Sequence, residues 1–193
     1  MSRLSGLVRK PLVIGVLAVG LVAAAVGLYL FQPWKVWTDE TVNEALPTAA
    51  SPENASGDPA APDDPAGSGK SKEGAGPKTL ATGEFIAHEH ATKGTVKVVR
   101  LPDGSRVLHL ENLDTSNGPD LKVWITDADV RSGKAGWGVF DDGAYVSLGR
   151  LKANKGSQNY TLPAKADLDK YTSVSIWCDR FNVSFGAAAL SRA

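Results

Sequence analysis

Apolar and polar positions along the chain fall into three regimes. Leu12 to Phe31 is an unbroken run without a charged side chain, Pro47 to Lys78 carries no aromatic residue, and from Thr79 onward short apolar-polar alternations are separated by turn residues. Read as a helix rising about 1.5 Å per residue, the first run is roughly 30 Å long, which matches the hydrocarbon thickness of a bilayer. Residues 35 to 46 predict a short helix capped by Thr38, with Val42, Ala45 and Leu46 on one face.

The alternations after Thr79 predict strands. Thr95–Arg100 and Ser105–Leu113 form a hairpin about Leu101, Pro102, Asp103 and Gly104, with Leu108 and Leu110 sharing a face with Arg106, and Val107, His109 and Glu111 on the other. Leu121, Val123 and Ile125 face one way in Asp120–Thr126, and a glycine-rich connection runs from Thr126 to Ala144. A short strand resumes over Tyr145–Leu148. The run Asn154 to Ser157 reads as a turn before Gln158–Leu162, and Asp167–Tyr171 as one helical turn. The last pair is Ser173–Cys178 and Phe181–Gly186, joined at Asp179 and Arg180, so that Cys178 is expected opposite Phe181. No long 3.6-residue period exists after Leu80. The expected fold is all-β, an antiparallel β-sandwich or open barrel, preceded by one N-terminal transmembrane helix and a disordered linker.

Charge orients this plan. Arg3, Arg9 and Lys10 precede the apolar run, which places residues 1–11 in the cytoplasm, residues 12–31 in the lipid bilayer, and the rest outside the cell membrane. A cleaved signal peptide is the rival reading, but bulky Tyr29, Leu30, Phe31, Pro33 and Trp34 stand where small residues are needed for cleavage. Residues 32–46 are then a juxtamembrane segment, 47–78 a disordered spacer with an average reach of roughly 30 Å, and 79–193 a single exported domain. Acidic and basic residues balance at 21 each, and no basic stripe emerges, which argues against a nucleic-acid partner.

Candidate chemistry centres on Cys178, the only cysteine. It closes no disulfide within its own chain, so it is either a small core residue or a functional group. Period two puts it on a face with Val174 and Ile176; Arg180 nearby would favour the thiolate, and Trp177 and Phe181 would shelter a bound group. His88 and His90 share a face if extended, and with His109 they are weak candidate metal ligands. Haem or copper held by Cys178 and a histidine is chemically reasonable, although no CxxCH motif is present. Hydrolytic, phosphate-loop and zinc-protease motifs are also absent.

Three segments carry a resemblance. Leu108–Trp124, Tyr145–Lys152 continuing through Gly156–Pro163, and Tyr171–Cys178 with Phe181, Val183, Phe185 and Gly186 resemble, in order, the signature segments of the DM-thirteen (electron transfer DM-thirteen) domain family. The membrane stub around Phe31–Lys35 is similar to that of actinobacterial members. The resemblance implies an all-β domain, exported or membrane-tethered, with Cys178 as the family's cysteine in a redox or ligand role; it implies no particular cofactor. Two functions follow as expectations. One is a membrane-tethered, extracytoplasmic redox or electron-transfer module using Cys178 with a cell-envelope redox partner. The other is a non-enzymatic envelope binding or adhesion module, with a surface ligand at the Gly133–Gly143 loop and Trp124, Trp137, Phe140 and Tyr145, and Cys178 purely structural.

Overall fold

The computed structural model describes residues 11–47 and 76–193. Most of the expected 47–78 spacer lies outside the described residues. Helix α1 (Pro11–Phe31) is followed by a 3-10 turn at Pro33–Trp37 and ten strands: β1 (Thr41–Asn43), β2 (Lys78–Ala87), β3 (Lys93–Arg100), β4 (Arg106–Asp114), β5 (Leu121–Thr126), β6 (Tyr145–Arg150), β7 (Lys155–Leu162), β8 (Ser173–Cys178), β9 (Val183–Ala189) and β10 (Ser191–Arg192). The segment Val13–Lys35 is long and apolar enough to cross a membrane, a property that signal sequences share.

One curled sheet contains all ten strands, in the order β1-β7-β4-β3-β2-β9-β8-β5-β6, with β10 beside β2. Every pairing is antiparallel except β1 with β7. Irregular registers interrupt several ladders, including β3–β4 between Lys93 and Thr95 and β4–β7 between Leu110 and Leu113. Such irregularities sharpen local twist and curl a sheet, and the result is the open-barrel alternative.

The curl encloses the main core. Val96, Val98, Leu108, Leu110, Leu121, Val123, Ile125, Val174, Ile176 and Phe185 point inward, as their alternation requires. The outer face of β5 and β8 is buried as well, because the connection from Asp127 to Ala144 folds back over it. Trp124, Phe140, Trp177 and Ala187 form a second cluster there. Every residue of β8 is consequently buried, serines included.

Three local expectations give way. Residues 39–46 are not helical: β1 adds a parallel strand to the free edge of β7, with Thr41 opposite Lys155 and Asn43 opposite Ser157. Backbone hydrogen bonds to a sheet edge and ion pairs from Asp39 to Lys155 and Glu44 to Lys152 outweigh a weak amphipathic signal. For the same reason Lys155–Ser157 is strand rather than turn. Finally, the β8–β9 turn spans Asp179–Asn182, not two residues, because Asn182 takes a left-handed conformation (φ 50°) before β9 begins. Cys178 therefore pairs with Val183, and Phe181 sits in the turn, 47% exposed.

Candidate functional site

Antiparallel strands place residue positions diagonally across neighbours on one face, close enough for large rings to meet. On the outer face of β6, β5 and β8, Tyr145, Trp124 and Trp177 are such a diagonal. The Tyr145 and Trp124 rings lie 3.9 Å apart between centroids and are tilted by only 6°, and Trp124 and Trp177 are 4.9 Å apart at 23°. Phe140, from the covering loop, meets Trp177 edge-on at 6.5 Å, and His88 stacks on Phe140 at 5.7 Å. Tyr145 is 45% exposed whereas Trp124 and Trp177 are buried, so the ladder runs from solvent into the domain. The indole Nε1 of Trp124 is buried without a hydrogen-bond partner among the described residues.

A polar network lies beside the ladder. Ser175 Oγ is 3.0 Å from Ser184 Oγ, which is 2.8 Å from His88 Nδ1; His88 Nε2 lies 3.1 Å from the Arg131 carbonyl. Burial lowers the His88 pKa, the Arg131 contact opposing it, so the ring is neutral near pH 7. A neutral ring must then donate Nε2–H to Arg131 O and accept from Ser184 at Nδ1. Gly136 lets the loop approach this closely, since a Cβ there would collide with the Arg131 carbonyl.

Cys178 sits on the opposite, inner face. It is 0% exposed at the end of the main core, flanked by Leu121 on β5 and Val183 on β9. Burial pushes its thiol pKa up, and the nearby backbone N–H groups of Phe181, Arg180 and Asp120 pull it back in part; the Phe181 N–H itself donates to the Cys178 carbonyl at 3.2 Å. The expected thiolate-favouring influence of Arg180 is thus a main-chain effect, smaller than burial, rather than one of its exposed guanidinium.

The histidines are dispersed. His88 faces Ser184, the His90 ring lies 4.0 Å from that of Phe185 at a tilt of 38°, and His109 meets Asn159 Oδ1 at 2.7 Å on the outer face of β4. Bends after β2, rather than extended backbone, separate His88 from His90. Among the described residues no group of three His, Cys, Asp or Glu side chains converges on a point. A haem or copper bound at Cys178 does not fit this arrangement, since the sulfur is wholly buried among core side chains and is not part of any group of three candidate ligands among the described residues.

Residues 84–190, more than half of the chain, match the family model described as electron transfer DM13. The chain belongs to the electron transfer DM13 family. No curated protein and no solved structure matches it. The matched region of the DM13 domain runs from within β2 to just beyond β9, so it contains the aromatic ladder, the His88 network and Cys178, and leaves out β1.

Of the residues that the sequence singles out, Trp177 joins the ladder, Cys178 ends the core beneath it, and Phe181 and Arg180 form the turn outside. The binding-surface reading loses much of its surface, because Trp124 and Phe140 are buried. Ser175, Ser184 and the His88–Phe140 contact carry no sequence signal, since they depend on where the covering loop lands.

Proposed function

We propose that this protein is a membrane-tethered electron-transfer module whose internal conduit is the Tyr145–Trp124–Trp177 ladder. The observation that carries the reading is the stacking itself: three oxidisable rings, centroids 3.9 and 4.9 Å apart, connect an exposed phenol to a buried indole. Family membership supports a redox role in general. An external one-electron oxidant docked at Tyr145 removes one electron, and the exposed phenol releases its proton to water. Trp124 passes an electron to Tyr145, whose exposed phenol takes a proton back from water, and Trp124 is left as an indole radical cation; Trp177 refills Trp124 in turn, and a one-electron reductant refills Trp177. The unpartnered Nε1–H of Trp124 has no base to take its proton, which suits a cation that passes its charge on.

A flash-generated ruthenium(III) polypyridyl oxidant tests this on the full-length protein in nanodiscs. The expected result is a tryptophanyl radical formed after the tyrosyl signal, lost in Trp124→Leu and kept in Trp137→Leu. An identical radical yield in the wild-type and Trp124→Leu proteins sinks the conduit.

A second reading keeps Cys178 as the redox group, favoured by the neighbouring backbone N–H groups of Phe181, Arg180 and Asp120, which oppose the effect of burial on its thiol. These would stabilise a thiolate or an oxidised sulfur anion if the Asp179–Asn182 turn opened. Reversible oxidation of Cys178 by mild peroxide in the folded protein, seen by mass spectrometry, is its expected signature. A thiol that stays reduced until the protein unfolds removes it.

A further inference from the structure

We infer that the domain is held end-on at the bilayer by its Cys178 end, with the Asp179–Asn182 turn facing lipid headgroups. The inference rests on reading α1 as a membrane anchor, and it goes beyond that reading by fixing which surface of the domain the membrane covers.

The order of elements carries it. Because β1 is already part of the sheet, the connection between helix and domain is residues 32–40 and not the long segment after Pro47. At about 2 Å per residue over the 3-10 turn and about 3.3 Å over the rest, that connection spans at most roughly 23 Å. It is further shortened by contacts: Asn117 Nδ2 donates to Thr38 O at 3.2 Å, and Asn154 receives Glu40 N at 2.7 Å and reaches Asp39 at 2.8 Å. Strands of eight residues such as β7 are themselves about 26 Å long. A tether shorter than the domain leaves it no room to turn its other end to the membrane.

Direction follows from the register. The start of β1 (Thr41) lies beside the start of β7 (Lys155), which pairs with the end of β4; the same barrel end holds the start of β5, the end of β8 and the β8–β9 turn. The last residue of α1, Phe31, stacks on Phe181 of that turn at 5.9 Å. Around the contact, Trp34 and Phe181 are about half exposed, and Arg180 is exposed. Amphipathic aromatics with a cationic side chain are the composition that settles at the headgroup level of a bilayer. At the opposite barrel end, Leu46 packs with Val99, Leu101 and Val107, and Lys78 pairs with Arg100, so both of these residues lie at the membrane-distal end.

The test places a fluorophore on the full-length chain at Arg180→Cys or, separately, Phe181→Cys, with Lys165→Cys at the distal end as reference. The proteins are reconstituted in phosphatidylcholine and phosphatidylglycerol vesicles containing a headgroup-spin-labelled lipid. Vesicle flotation comes first: protein that does not float overturns the anchor reading and the inference with it. In floating vesicles, labels at 180 and 181 should lose most of their emission while the label at 165 keeps it. Equal emission at both ends of the barrel would overturn the inference while leaving the anchor intact. The two turn variants guard against misfolding of either one, since both positions are exposed.

Discussion

At the scale of single residues, burial decides chemistry more than neighbouring charge does. The raised thiol pKa of Cys178 makes it a poor nucleophile at neutral pH, so iodoacetamide should leave it unmodified in the native state and label it fully in denaturant. Cys178→Ala should cost about 1 kcal/mol, the loss of one small buried group, read from urea midpoints. His88 gives a pH dependence whose sign is set by its lowered pKa. The unfolded chain, with an ordinary imidazole near pH 6.5, binds the proton first, so folding stability is full above that pH and falls as the pH drops toward the lower native value. Urea midpoints should therefore decline on acidification through this range, and the decline should shrink in His88→Gln. The salt-bridged carboxylates Asp39 and Glu111, whose pKa values are also lowered, act only at more acidic pH.

Among elements, the two decisive contacts are β1 on β7 and the Asp127–Ala144 connection over β5 and β8. Gly156 is where the first can be broken. Its φ of 96° suits glycine alone, and a Cβ would run into the Val42 carbonyl. Gly156→Ala should lower stability by about 1–3 kcal/mol and raise amide exchange selectively over residues 41–46. For the second, Trp177→Ala should cost about 3–5 kcal/mol, because the ring is 1% exposed and fills the space between Trp124 and Phe140. Thermal unfolding of the two variants separates an edge effect from a core effect, since only the Trp177 variant is expected to lose near-ultraviolet aromatic dichroism.

For the molecule as a whole, the sheet is continued by a strand that lies outside the family match. Replacing residues 48–75 with a short glycine-serine link should leave the melting temperature unchanged or raise stability by about 1 kcal/mol, because Leu46 and Lys78 are anchored at the same barrel end and a shorter loop closes more readily. Deleting residues 1–47 should instead lower the melting temperature and promote self-association in size-exclusion chromatography, because the β7 edge is uncovered. Much of this architecture was legible beforehand. Period-two alternation is a local property, so it identified the β3–β4 hairpin, β5, β8 and the inward row of Val174, Ile176 and Cys178, and an uncharged run of bilayer length identified α1. The family signature likewise lay in contiguous segments. What alternation does not encode is which strands become neighbours and what covers their outer faces. Only the antiparallel register of β6, β5 and β8 stacked Tyr145, Trp124 and Trp177, and only the fold-back of the glycine-rich connection buried His88 and the β8 serines. Likewise β1 is three residues long and too short to announce itself; it exists because β7 offered an unpaired edge, and that edge was itself a product of the tertiary fold.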